Sequence, residues 1–500
     1  MSPILTSIVG LPLAGAVAVA LVPRNYRFVI RAIAQAATFL SMLIAFWMFW
    51  QFIPGKDGFQ FVSSFEWVKS LGITLKLGVD GLNVGLVFMG TIVAFAATSM
   101  SYMIKDREKD YYLLLLVMIT GILGAFASLD IFFFFFFHEL ALIPTFIMIG
   151  VWGKGDDKNY ATFNITLYLT LGALIALVGL IALYVQTGAK SFDIAAITAY
   201  VKANPIPVNT QNWIFPLLLF GFGILVSLWP FHTWAPLGYG AAPTATAMLH
   251  AGVLKKFGLY GILRIAVPLM PEAARSWMHV IAFLCLGNIV YCGLVAIRQR
   301  QLNLLIGNSS VAHMGLIFLG IASLSVVGVT GAVVIMIAHG LLAALSFAIN
   351  GHLYHQTQTE NMDQMGGLMK RMPFIGTVIV ATMMAGCGLP GFANFVGEAM
   401  TLFAAFKNFH LVTALAVWGA LVIGAVYMLR AIRNIVHGPM PEHWQRANDA
   451  QGPLRKLPFI LLGGTLLVFG CFPGLLTEKI KFSVEPIVNM ANSTPAPAHK

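Results

Sequence analysis

The chain is a succession of apolar blocks, each about 20 residues long, the length at which an α-helix crosses the hydrocarbon core of a bilayer. They fall near 3–22, 28–52, 79–101, 111–129, 131–152, 164–187, 213–234, 241–266, 275–297, 302–324, 328–349, 372–406, 409–432 and 456–476. Only 10% of the 500 residues are charged and 59% are hydrophobic, against about 25% charge in a soluble domain. Backbone polar groups in lipid must be satisfied within the segment, which selects helices for blocks of this kind. The sequence thus predicts an all-α polytopic membrane protein of about fourteen transmembrane helices. The opening SPILTSIVGLPLAGAVAVALV has no basic residue before its apolar run and reads as a first membrane helix, not a cleaved leader.

Connections are short, so successive helices are expected to be antiparallel. Only 54–78 and 188–212 are long before residue 350, and the Pro-rich tail 485–500 reads as loose. Basic residues are asymmetric. Loops after odd-numbered blocks hold Arg24, Arg27, Lys105, Arg107, Lys109, Lys154, Lys158, Arg298, Arg300, Lys370, Arg371, Arg430, Arg433, Arg446, Arg455 and Lys456. The other side holds Lys56, Lys69, Lys76, Lys190, Lys202 and Lys407. The positive-inside rule puts the odd loops in the cytoplasm and both termini outside. The net charge of +11 therefore reflects membrane orientation, not nucleic-acid binding. Cys285, Cys292, Cys387 and Cys471 lie in apolar segments without metal-ligand spacing and read as packing residues.

Two blocks are interrupted. One reads GILVSLWPFHTWAPLGYGAAPT, with Pro230, Pro236 and Pro243; the other reads AGCGLPGFANFVGEAM, with Gly388, Pro390 and Gly391. Proline removes a backbone donor, and the groups it frees must find protein or water. Paired breaks in the two halves of a chain point to inverted repeats around a transport path. Two proline kinks used only for packing are the alternative.

Ionisable residues inside the blocks are Glu139, Lys255, Lys256 and Glu398, joined by His138, His232, His250, His313 and His339. Each costs at least a few kcal/mol at membrane depth, so function is the default hypothesis. Glu139 follows six phenylalanines, Phe132 to Phe137, and His138. Neighbours on a helix point about 100° apart, so one of Lys255 and Lys256 can snorkel, and a water is expected to bridge His138 and Glu139. Each histidine taken singly is as well read as a polar packing residue as a relay. Together these groups make a buried row of the kind a lateral proton path needs.

At HELALIP (138–144), WPFHTWAPLGYGAAPTATAMLHAGVLKKFGLYGILR (229–264), NSSVAHMG (308–315), MIAHGLLAA (336–344), MGGL (365–368) and GLPGFANFVGE (388–398) the chain resembles the antiporter-like membrane subunits of respiratory complex I, NADH–quinone oxidoreductase, and among them subunit M (chain 4). The resemblance implies two inverted five-helix repeats. It gives N-terminal helices in 1–110, a first repeat in 111–266, a second in 275–432, and a last helix and tail in 433–500. It implies broken seventh and twelfth helices, Glu139 in a proton-input half-channel, Lys256 at the centre, His313 and His339 as bridging histidines, and Glu398 at the end. It implies no cofactor on this chain, with NADH, FMN, iron–sulfur clusters and quinone on other subunits. The implied partners are the lipid bilayer and L- and N-type neighbours or a second M-type subunit, in a bacterial inner membrane.

The chain also departs from that pattern. The family's seventh-helix lysine, in Lys-x-Pro-x-x-Pro, falls on Leu225, and the next proline on Ser227. Gln301 and Asn303 stand where the family has charged residues before the tenth helix. His138 and His250 are extra titratable groups that can compensate. A subunit of a cation/proton antiporter, an ion-transfer subunit of a membrane hydrogenase or bicarbonate-uptake complex, and a spacer that has lost pumping are the alternatives.

Overall fold

The computed structural model describes residues 3–188, 191–442, 444 and 447–492. Lys190, Arg446 and the tail 493–500 lie outside the described residues.

Among the described residues, 12 helices are long and apolar enough to span a bilayer, from Ile4–Leu21 to Pro453–Cys471. The chain is a multi-pass membrane protein. The two other expected spans are in pieces. The block 372–406 divides into Pro373–Gly386 and Ala393–Phe406. The block 241–266 is a break the sequence had not suggested. It runs as Thr244–Gly252, a 3-10 turn at Leu254–Lys256, Phe257–Gly261 and a π turn at Ile262–Ala266. Of the prolines, Pro243 starts the Thr244–Gly252 helix and does not belong to the seventh-span break.

Helices that are apolar on every side belong inside a bundle. Val84–Met103, Leu302–Ala322 and Val326–Thr357 are almost wholly enclosed, whereas Ile4–Leu21, Arg27–Gln51, Lys158–Thr187 and Pro453–Cys471 turn apolar faces outward. Phe28, Phe163, Leu171, Val178 and Leu454 are among the side chains so exposed, as a lipid-facing surface requires.

Three connections carry more order than their composition suggested. Within 54–78 lies an antiparallel hairpin, Gln60–Val68 against Ile73–Val79, so the fold is not purely helical. Gly72 at φ 67° makes its turn, a backbone conformation that favours glycine. Within 188–212, Ile194–Ala203 is helical, and Asp193 caps it by accepting from the Ala195 amide at 2.8 Å. Of the expected loose tail, the described residues 485–492 are instead helical, the end of the helix Gly474–Asn492. Its Leu476, Ile480, Val484 and Ile487 are buried at helical spacing, and Ser483 accepts from the Gly81 amide at 2.8 Å.

The basic loops are tied together at one end of the bundle. Arg24 pairs with Asp110, Arg455 stacks over Tyr102, Arg300 approaches Asp363, and Arg371 donates to the Ala447 carbonyl. At the other end Lys76 pairs with Asp193, and Lys479 donates to the Phe52 carbonyl at 3.2 Å. Of the cysteines, Cys285 and Cys292 are buried, while Cys471 is exposed and is not a packing residue.

Candidate functional site: a row of titratable side chains

Three interrupted helices converge on the middle of the bundle. The seventh span, Val208–Val226, ends at Ser227 in the left-handed region, φ 68°. Its freed backbone groups are met by protein. The Asn288 amide donates to the Ser227 carbonyl at 2.8 Å and accepts from the Trp229 amide at 2.8 Å, and the Trp234 indole donates to the Ile224 carbonyl at 3.0 Å. Asn288 is a structural residue the sequence reading passed over; a lone amide inside an apolar block was its signal.

The eighth span breaks after Gly252, and this places both lysines on one tight turn. Lys255 and Lys256 are 1% and 0% exposed, so neither snorkels. Lys255 Nζ donates to Ser310 Oγ at 3.4 Å and lies over the Tyr239 ring. Lys256 Nζ donates to the Ala251 carbonyl at 2.5 Å and lies 2.9 Å from His339 Nδ1.

From His339 the row continues. The His339 and His313 rings are 5.2 Å apart between centroids. His313 Nδ1 is 2.8 Å from the Ser309 carbonyl oxygen, an acceptor only, so Nδ1 carries a hydrogen and donates. Nε2 is then the nitrogen on the other side of the ring, and it faces Glu398 Oε1 at 3.7 Å. The break in the twelfth span brings its backbone against this carboxylate. A Cβ at Gly388, φ 69°, would stand 2.5 Å from Glu398 Oε2 and displace the carboxylate, and the left-handed backbone there favours glycine. A cavity of about 10 Å³ lined by His313, Glu398 and Tyr427 adjoins the pair, about the space of one water. The structure thus brings Lys256, His339, His313 and Glu398 into one chain of neighbours, with Lys255 beside it.

Glu139 and His138 stand apart from that chain. His138 Nδ1 is 3.4 Å from Glu139 Oε1, a direct approach where a bridging water was expected, but without hydrogen-bond geometry. The His138 ring stacks on Phe257 at 4.1 Å. The Glu139 side chain is 32% exposed, so it is not a member of a fully buried row. Leu225 is buried and supplies no charge. His250 is enclosed between the Trp234 and Tyr239 rings, and neither of its ring nitrogens has a hydrogen-bond partner among the described residues. His232 has Nδ1 at 3.1 Å from the Pro230 carbonyl oxygen and its ring against Tyr291.

Two charged clusters escaped the sequence reading. Arg264, in the eighth span, makes two hydrogen bonds to Asp80, at 2.7 and 2.6 Å, and a third to Tyr260 at 3.1 Å. At the basic end, Glu360 accepts from the amides of Asn303 and Asn350, and Lys154 lies over the Tyr354 ring at 4.3 Å. Burial holds Lys154 below the ordinary lysine range, opposed by the charge of Glu360. Burial likewise raises Glu360, opposed by Lys154 and by the two amides. Asn303 thus serves as a partner of this acid. Among the described residues no group of three or more His, Cys, Asp or Glu is arranged to hold a metal ion.

A bundle with interrupted helices around a sealed Lys–His–His–Glu row has the build of an antiporter-like membrane subunit. Residues 128–424 match the family described as NADH:quinone oxidoreductase/Mrp antiporter, TM. NADH-quinone oxidoreductase subunit M of Rhodobacter capsulatus is 33% identical over 98% of this chain and 97% of that protein. The chain belongs to the NADH-quinone oxidoreductase subunit M family. Its fold is similar to a chain of respiratory complex I from Thermus thermophilus, TM-score 0.89 at 24% identity, over 98% of this chain and 100% of that one. It is also similar to a chain of the Mrp complex from Dietzia sp. DQ12-45-1b, TM-score 0.85 at 19% identity, covering 98% and 97%. At these identities the two structures bear on the fold alone.

Proposed function

We propose that the chain is a proton-translocating membrane-arm subunit of an NADH-quinone oxidoreductase. The observation that carries this reading is the run Lys256–His339–His313–Glu398, sealed from solvent and linked by approaches of 2.9 and 3.7 Å at its two ends. A proton on Lys256 can pass to His339, cross to His313 by ring motion or through one water, and leave from Nε2 to Glu398. Spending four costly intramembrane groups on a passive wall has no evident benefit.

Input fits the basic end. A cavity of about 220 Å³ is lined there by Ser101, Tyr111, Lys154, Thr244 and His355. Thr246 and His250 follow it on one face of the Thr244–Gly252 helix, four residues apart. His250, with both nitrogens free, is a natural step from this cavity towards the lysines, and Glu139 with His138 forms a lateral branch.

In this reading the spans number about fourteen, with inverted repeats over 111–266 and 275–432 flanked by 1–110 and 433–500. The redox chemistry of NADH, FMN, iron–sulfur clusters and quinone takes place on other subunits. The neighbours are L- and N-type subunits or a second M-type subunit. The membrane is a bacterial inner membrane with the basic loops in the cytoplasm and both termini in the periplasm. Leu225 favours a second reading, a spacer that transmits force without moving its own proton. Glu139→Gln and Glu398→Gln in the intact complex separate the two. Each should assemble and lower proton translocation coupled to NADH oxidation. Full translocation and turnover in both would support the spacer.

A further inference from the structure

We infer that the Glu139 carboxylate is completed in trans, by a cationic side chain on a membrane helix of an adjacent subunit packed against the outer face of the Ile131–Trp152 helix. This rests on the reading of the chain as one subunit of a membrane complex.

The geometry begins with the stripe on which Glu139 lies. Phe136, Ile143, Ile147 and Val151 are exposed side chains of this helix, and Glu139 falls among them at spacings of three and four residues, one face of a helix. The carboxylate is two-sided. Its Oε1 is enclosed, facing His138 Nδ1 at 3.4 Å, while the side chain as a whole keeps 32% of its surface open. His138 is stacked on Phe257 and buried, so it lies on the inner side of the carboxylate and does not reach the outer side.

Depth decides what can cover that outer side. Glu139 is about 12 Å along a helix of about 33 Å, at 1.5 Å per residue. Its two-methylene stem is too short to carry the carboxylate to the headgroup region, and a lipid headgroup does not descend to it. The neighbouring outward face, on Lys158–Thr187, is formed by Phe163, Leu167, Leu171, Leu174, Val178 and Ile181. A broad apolar face with one acid in it is complementary to an apolar helix with one base at the same depth. Such a pair fixes register between helices that have little else to distinguish them. On the inner side, Leu225 of the seventh span is buried and carries no charge, and His138 is the one titratable group facing the carboxylate among the described residues, so the inner fold does not meet the demand. A second copy of this chain does not meet it either, because its own mid-span cations, Lys255 and Lys256, are sealed inside the bundle.

The deciding experiment is a side-chain-resolution structure of the intact complex, joined to assembly assays of two variants. The expected result is a Lys, Arg or His nitrogen of another subunit within about 4 Å of the Glu139 carboxylate. Glu139→Gln should assemble, and Glu139→Lys should reduce assembled complex about tenfold through like-charge contact. Reversing the contacting cation to Glu should restore assembly of Glu139→Lys. Lipid tails or only apolar side chains against Glu139, or normal assembly of Glu139→Lys, would overturn the inference. A purified complex that lacks this chain altogether would instead overturn the reading on which it rests.

Discussion

Lys256 Nζ stands 2.9 Å from His339 Nδ1, and both side chains are closed off from solvent. The lysine reaches this place because the eighth span breaks after Gly252 and leaves the Ala251 carbonyl free to accept from it. The pair therefore joins an interrupted stretch of backbone to a long unbroken helix, Val326–Thr357. Residues that act as one unit are non-additive on substitution. Lys256→Ala, His339→Ala and the double variant should lower NADH-driven acidification of vesicles to the same level. A double variant whose loss equals the sum of the two singles would show that the groups work separately.

The Lys154–Glu360 relationship gives a prediction about pH. Burial depresses the Lys154 ammonium, and the negative charge of Glu360 partly offsets this. Glu360→Gln removes the charge and keeps an acceptor for Asn303 and Asn350. Lys154 should then lose its proton at a lower pH than in the native protein. If Lys154 belongs to the input cavity, the alkaline limb of the pumping-versus-pH profile should move to lower pH in this variant. An unmoved limb would separate Lys154 from proton uptake.

The Asp80–Arg264 pair makes a prediction about stability. Its side chains are 14% and 8% exposed, and the contact is bidentate. Removing one partner of a buried pair leaves the other charge uncompensated, at about 3–5 kcal/mol. Asp80→Asn should lower the melting temperature and yield of the complex, while the double change Asp80→Leu with Arg264→Met should recover part of the loss. Thermal unfolding of the purified complex followed by native electrophoresis reads both.

The row was legible in the sequence because a charge inside an apolar block stands out whatever the fold. Lys256, His313, His339 and Glu398 all stood out in this way. Which way each points was less legible. The Ile131–Trp152 helix is apolar all round, so its sequence carries no amphipathic signal to show that Glu139 lies on the outward stripe. The break after Gly252 has no proline at its centre, and Gly252 packs closely against the Gly340 backbone, a tertiary contact that no local pattern shows. For the same reason the sequence predicted one free and one buried lysine, where both are buried. Asp80 and Arg264 are 184 residues apart in the chain, and no local pattern pairs them. The hairpin at Gln60–Val68 and Ile73–Val79 was hidden because strands of 9 and 7 residues fall far below the length of a membrane span, the signal that dominates so apolar a chain.

The claim that Lys256 is the centre of a proton path is tested most directly by the proton-to-electron ratio of the complex in proteoliposomes, wild type against Lys256→Met. Methionine keeps the length and the packing of the stem and removes the titratable nitrogen. The ratio and the turnover should both fall, with the variant complex fully assembled. An assembled Lys256→Met complex that turns over and pumps as the wild type does would contradict it.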